Sequence, residues 1–236
     1  MAQQVYPPNV VVRTLINDFF RYRGLTLVGR GGTIDGEVPV FDDDRIISDM
    51  EQFYYVRLDA VRNTPRGGRD WVVVLVLGAD GKFTHHSPDL RKLLEGVEAE
   101  RATKEGRLDE LIVVAEEMFF SKKNLTDVLR DVRRRQAGGA DEDGVAPFYN
   151  AYPYYNFALV VPEHKSVPNH RVMSQTDVAD LLRRELCSRS DLPVVLASDA
   201  PIVWNGGREG QVVEITRDSQ TAGESIYYRR IERGAI

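Results

Sequence analysis

Gly210-Gln211-Val212-Val213-Glu214-Ile215, followed by Ser219-Gln220-Thr221-Ala222-Gly223, decides how the end of this chain folds. Val213 and Ile215 alternate with Val212 and Glu214, so a strand here can bury one face. Gly210 permits the turn that starts it. Ser219, Thr221 and Gly223 suit a tight turn, because hydroxyls can bond nearby amides and glycine accepts a positive φ. Beyond that turn Ile226, Tyr228 and Arg230 alternate with Tyr227 and Arg229, so a second strand can pair back on the first. Upstream, Ser174 is placed to cap a helix with Asp177 at its third position and Val178, Leu181, Leu182 and Leu186 along one face. The tail therefore reads as a small mixed sheet with one helix. A module of that size buries little apolar surface alone and gains from docking on a partner. Acidic and basic residues nearly balance from Pro162 onward, which suits a protein partner better than a phosphate backbone.

The preceding part alternates helices and strands. Asn9 can cap a helix with Val12, Leu15, Ile16 and Phe19 on one face, and Gly24 suits the position just past its end. An acidic stretch, Asp35 to Asp44, leads to a second expected helix with Ile46, Met50, Phe53 and Tyr54 inward. Arg62 to Arg69 reads as a loop. Trp71 to Leu77 and Leu111 to Ala115 are continuous apolar runs, as in buried strands. Asp80-Gly81 is a hairpin-turn pair with Lys82 to Thr84 as a return strand. Ser87 and Pro88 open a helix carrying Leu90, Leu93, Leu94 and Val97. Ser121 can cap another with Leu125, Val128, Leu129 and Val132 inward. Such alternation predicts an α/β domain, and α+β for the chain as a whole. Gln136 to Pro147 is small, polar and acidic, and reads as a flexible insertion over 136–147. Tyr149 to Val161 is aromatic and is expected to hold a strand leading into the second domain.

Composition narrows the classes. The chain has 236 residues, enough for one large domain or two small ones; 42% are hydrophobic and 28% charged. A net charge of −5 argues against a free-standing nucleic-acid binder. A single cysteine, Cys187, excludes an intramolecular disulfide framework. The opening residues Met1 to Asn9 lack the basic start and apolar segment of a signal peptide. No apolar run approaches the ~18 residues of a spanning helix, so no membrane partner is expected.

Several short motifs of the tail recur in one order at compatible distances: Val167-Pro168-Asn169-His170, Leu192-Pro193, then the two segments quoted first. This series resembles the fifth common subunit of eukaryotic nuclear RNA polymerases, whose C-terminal domain is the H-type component of the archaeal polymerase. That family's tail runs V-P-E-H, L-P, G-x-V-V-K-I-x-R-x-S-x-T-A-G, then Y-R. More weakly, Arg23-Gly24-Leu25 stands where the family closes its first helix with R-G-Y. Leu111-Ile112-Val113-Val114, ahead of Phe119-Phe120-Ser121-Lys122, stands where it has L-I-V-V before a loop and a helix.

The resemblance implies two modules. Residues 1–157 would be a jaw with an endonuclease-like α/β core that has lost catalysis. Residues 158–236 would be a small α+β assembly domain like that archaeal component, gripping the largest polymerase subunit beside the other core subunits. It implies no enzyme activity of its own, no cofactor and no metal. Ser121, Lys122 and Lys123 would face the backbone of downstream duplex DNA, where helix-start amides and two lysines make a phosphate site. Pro168, His170, Pro193, Gly210, Val213, Arg217, Ser219, Thr221, Ala222, Gly223, Tyr228 and Arg229 would shape the assembly module and its docking surface. The implied location is the nucleus, or the nucleolus for a ribosomal-RNA polymerase.

The chain also departs from that pattern. The family's D-P-V-A-R-Y is Asp199-Ala200-Pro201-Ile202-Val203-Trp204 here. The lysine of V-V-K-I is Glu214, the glutamate before T-A-G is Gln220, and the aromatic two residues past the last glycine is Ser225. These departures suggest a divergent paralogue dedicated to one polymerase, as in the kinetoplastid ribosomal-RNA enzyme, or a virus-encoded version.

Two rival readings remain. A metal-dependent nuclease needs an acid and then D/E-x-K on a following strand, and Asp70 with Asp80-Gly81-Lys82 fits the letters. A free protein-binding adaptor could use the same fold outside a polymerase. The four histidines offer no zinc spacing: His85 and His86 are adjacent, and His164 and His170 lack cysteine partners. Gly29 to Gly32 has no following Lys-Ser/Thr, so it is no phosphate loop. Arg133 to Arg135 end an expected helix, where cations suit the dipole.

Overall fold

The computed structural model describes residues 8–31, 55–63, 68–78, 87–102, 106–117, 120, 147–219 and 223–233. The chain divides into two compact units, Met1–Ala158 and Leu159–Ile236.

The first unit opens with a helical run, α1, made of Pro8–Thr14, a π turn over Leu15–Phe19, and Phe20–Tyr22. Asn9 lies inside this run rather than capping it, its side chain accepting from the Val10 amide. In the π turn the Phe20 amide reaches back five residues to Leu15 O. The extra residue shifts the apolar stripe. Phe19 and Phe20 are therefore both buried with Val11, Val12 and Leu15, while Ile16, expected inward, is only partly covered. Gly24 closes the run at a φ of +63°, as its place in the sequence suggests.

A five-stranded sheet follows, in the order β1-β2-β3-β4-β5. Its strands are β1 (Thr26–Gly31), β2 (Tyr55–Asn63), β3 (Arg69–Leu77), β4 (Arg107–Ala115) and β5 (Phe148–Pro153). The first three pair antiparallel; β3, β4 and β5 are parallel. Helix α2 (Ser87–Ala102) lies between β3 and β4 in the chain, and Leu90, Leu94 and Val97 pack on Val73, Leu75, Leu111 and Val113. Every residue of β3 from Val72 to Leu77 is buried, which is why the run shows no alternation.

The strand β2 corrects the sequence reading, which carried a loop from Arg62. Val56, Leu58 and Ala60 are buried between the partly exposed Tyr55, Arg57 and Asp59, a plain period of two. The expected helix of Ile46 to Tyr54, the return strand Lys82 to Thr84, the helix from Ser121, Arg133 to Arg135 and the insertion up to Ala146 lie outside the described residues.

The second unit is a four-stranded sheet in the order β6-β8-β9-β7. Its strands are β6 (Asn169–Val172), β7 (Val194–Leu196), β8 (Val212–Ser219) and β9 (Gly223–Glu232). β8 and β9 form the antiparallel hairpin that the alternation implied. Helix α3 (Gln175–Arg184) covers one face and packs Val178 and Leu181 on Val212 and Met173. The tail has a second helix, not one alone: α4 (Ala200–Asn205), with Asp199 before it, a proline in its first turn and Gly206 at φ +66° behind it. It buries Ile202, which packs with Val213, Ile215 and Ile231 on the sheet's other face, and its Trp204 is fully buried. Hence Val212 and Val213 are both at zero exposure. No described helix is long and apolar enough to cross a membrane.

Candidate functional site

The core of the first unit holds an ion pair. Arg23 Nη2 donates to Glu110 Oε2 at 2.7 Å, with both side chains 3% exposed. Asn150 Nδ2 donates to the other carboxylate oxygen at 2.8 Å, and the guanidinium lies over the Phe19 ring. Burial disfavours the Arg23 charge, yet Glu110 outweighs it and keeps the group protonated. The arginine that ends α1 thus ties the helix to β4 and β5. It is a structural bond: it satisfies a buried charge and leaves no reactive group in a cleft.

The nuclease letters fare differently. Asp70 sits at the start of β3, with Arg107 Nε at 3.8 Å. Asp80, Gly81 and Lys82, and His85 and His86, lie outside the described residues. Among the described residues no group of three or more His, Cys, Asp or Glu side chains is placed to hold a metal ion. The candidate DNA-facing residues Ser121, Lys122 and Lys123 also lie outside them.

The tail motif divides by role. Gly210 and Gly223 take φ values of +82° and +70°, at the start of β8 and of β9. Val213 is core. The Pro193 carbonyl accepts the Arg230 amide at 2.8 Å, which starts the β7–β9 pairing. Arg229 Nη1 donates to Val194 O at 3.0 Å across the same strands. The Pro168 carbonyl lies 2.7 Å from His170 Nδ1. Partial burial, with the nearby Arg217 charge adding to it, lowers the His170 pKa from 6.5, although the Pro168 carbonyl opposes the change. Arg217 is exposed, and Ser219 pairs with Gly223. Tyr228 packs beside the α3 cluster, its hydroxyl 3.4 Å from Arg184 Nη2. Thr221 and Ala222 lie outside the described residues.

Sequence reading missed three features. Ser174 caps α3 by accepting the Asp177 amide at 3.1 Å, as expected, but Leu186 is not on the inward face. The helix ends at Arg184. Leu186 takes a φ of +51° and is 92% exposed. The Cys187 amide then reaches Leu182 O, a closing turn that usually carries glycine at the Leu186 position. Glu214, the reversed charge, is held within the chain: Arg171 donates to its two oxygens, each at 3.1 Å, and to Asp177 at 3.2 Å. Those bonds raise the Arg171 pKa; that of Asp177 is lowered, first by Ser174 and then by Arg171. Arg189 bridges the Gly210 carbonyl and the Gln175 side chain. The last two have no local signal, because each joins elements far apart in the chain; the first is local, but a leucine rarely takes the positive φ that closes a helix.

Residues 159–231 match the family model described as RNA polymerase Rpb5, C-terminal domain. The chain is 32% identical over 223 residues to a protein of African swine fever virus (isolate Tick/South Africa/Pretoriuskop Pr4/1996) named DNA-directed RNA polymerase RPB5 homolog, covering 94% of this chain and 97% of that one. Proteins named DNA-directed RNA polymerase subunit Rpo5 match over a shorter stretch. That of Nitrosopumilus maritimus is 37% identical over 73 residues, 31% of this chain and 88% of its own. That of Thermococcus celer is 44% identical over 68 residues, 29% of this chain and 83% of its own. The viral relative is thus matched over nearly the whole of this chain, and the archaeal ones over less than a third of it. The chain belongs to the RPB5 family of DNA-directed RNA polymerase subunits.

Proposed function

We propose that this chain is anchored on the largest polymerase subunit by residues 159–236, and that the preceding unit forms a jaw close to downstream DNA. The observation that carries this reading is the coverage of the relatives. Archaeal Rpo5 chains are matched over 88% and 83% of their own length by 73 and 68 residues of this chain, about the size of the tail unit, which supports a tail able to hold such a protein in its enzyme. The chain itself is a structural member of an enzyme complex. Nucleotide addition and its metal belong to other subunits, and no cofactor is called for here.

In this reading Pro168, His170, Pro193, Gly210, Val213, Arg217, Ser219, Thr221, Ala222, Gly223, Tyr228 and Arg229 shape the module through turns, core and strand pairing. Ser121, Lys122 and Lys123 carry the jaw's contact with the phosphate backbone. The chain works where its polymerase transcribes: the nucleus for a cellular enzyme, and the nucleolus for one dedicated to ribosomal RNA. The whole-length likeness to viral homologues favours a version serving one viral-type polymerase over a ribosomal-RNA paralogue.

The test is tagged purification of the full chain from cells in which it is naturally expressed, identifying the polymerase subunits retained. One largest subunit would support a dedicated copy. Several would point to a shared subunit. Retention of none would remove the anchoring reading and favour the free adaptor.

A further inference from the structure

We infer that the α3 side of the tail sheet is the docking face, and that it takes a segment of the largest polymerase subunit bearing aliphatic side chains and at least one lysine or arginine. This rests on the anchoring reading above and specifies its contact.

Strand parity sorts the surface. Val212, Glu214, Thr216 and Asp218 share the α3 side with their β9 partners Arg230, Tyr228, Ile226 and Glu224. Val194 and Leu196 join them from β7, through Arg230 and Glu232. Among the described residues Val194, Leu196 and Ile226 are exposed aliphatic side chains on this side, and Tyr227 is the one exposed large apolar side chain that the strands show on the opposite side. Leu186, just past the end of the covering helix, is the most exposed of all. A leucine held at positive φ in water is disfavoured twice, by its backbone and by its wetted side chain. The backbone cost is offset by the closing turn to Leu182, but the wetted side chain returns nothing to the folded unit. A partner pocket would supply the return.

Charge identifies the partner's chemistry. Asp218 and Glu224 stand directly opposite each other on neighbouring strands, where like charges repel. Neither has an ion-pair partner among the described residues. The arginines of this side are already engaged: Arg171 with Glu214 and Asp177, Arg184 with Glu185, and Arg230 with Glu232. The face is therefore aliphatic with an uncompensated acidic pair, which rejects a phosphate backbone and fits a cationic, aliphatic peptide segment. The pair also lies beyond Asn169, where β6 stops covering β8, so among the described residues no further strand pairs with this part of the hairpin.

The experiment co-expresses the full chain with the largest subunit from its own genome and compares retention of three variants. Leu186→Gly and the double variant Asp218→Lys/Glu224→Lys should each lose about tenfold in affinity, as central anchors do. The same Leu186→Gly protein should unfold at an equal or higher temperature, because glycine relieves the positive φ. Tyr227→Ser, on the other side of the sheet, should bind like the wild type. Wild-type retention of either face variant would overturn the inference while leaving the anchoring reading intact. Failure of the unsubstituted chain to bind would overturn both.

Discussion

The buried Arg23–Glu110 pair shows how a single charge can be indispensable without being functional. Removing one partner leaves the other charged, dry and unmatched. Glu110→Gln should destabilise the first unit by about 3 kcal/mol, read as a lower denaturation midpoint. Replacing both together, Arg23→Met with Glu110→Leu, should recover much of that loss, and a double-mutant cycle would measure the coupling. In the tail, His170 gives a pH dependence of definite sign. Its folded pKa lies below the ordinary 6.5, so the unfolded chain binds the extra proton more readily. The stability it contributes is present above that value and is lost as pH falls through it toward the folded pKa. Urea titrations across that range should show the slope, and His170→Gln should flatten it.

Among the elements, α3 offers the cleanest test. Ser174→Ala removes the bond to the Asp177 amide and should cost about 1 kcal/mol in thermal or chemical unfolding. That cap was legible because its chemistry is local: a serine, three residues, then an apolar stripe. The buried strands β3 and β4 were legible from Trp71 to Leu77 and Leu111 to Ala115, whose unbroken apolar runs need both faces covered. Strand β2 was obscured because Arg57 and Asp59 look like surface residues. They bond each other, and Arg57 also reaches Glu100 of α2, which no local window contains. Helix α4 was hidden by its length and by Pro201, a residue more readily taken for a breaker than for a first turn. Leu186 misled because it continues the spacing of α3 by one further step, and a leucine gives no warning that the helix has closed. The reversed charge at Glu214 reads as a changed surface in the sequence, but in the fold Arg171 holds it. In the candidate site, then, turns and core were readable, while the cross-chain ion pairs required the fold.

On the scale of the whole chain, the compactness of the unit Leu159–Ile236 predicts that the tail folds by itself. Residues 159–236 expressed alone should give a cooperative unfolding transition by circular dichroism, at the modest stability expected of so small a core. A broad, non-cooperative melt would show that it depends on the residues before it. The first unit has a different consequence in its strand order. β1, β2 and β3 are successive antiparallel neighbours, but β5 lies parallel to β4 and is separated from it by the stretch from Glu116 to Pro147. Pairings across such separations form late, since the loop entropy is lost before the contact is gained. As the chain leaves the ribosome, Glu110 waits for Asn150, and Phe19 waits for Phe157, whose ring it meets edge-on at 5.1 Å. Until β5 and the turn after it arrive, Glu110 lacks one of its two partners and Phe19 its edge-on neighbour, so this side of the first unit's core closes last.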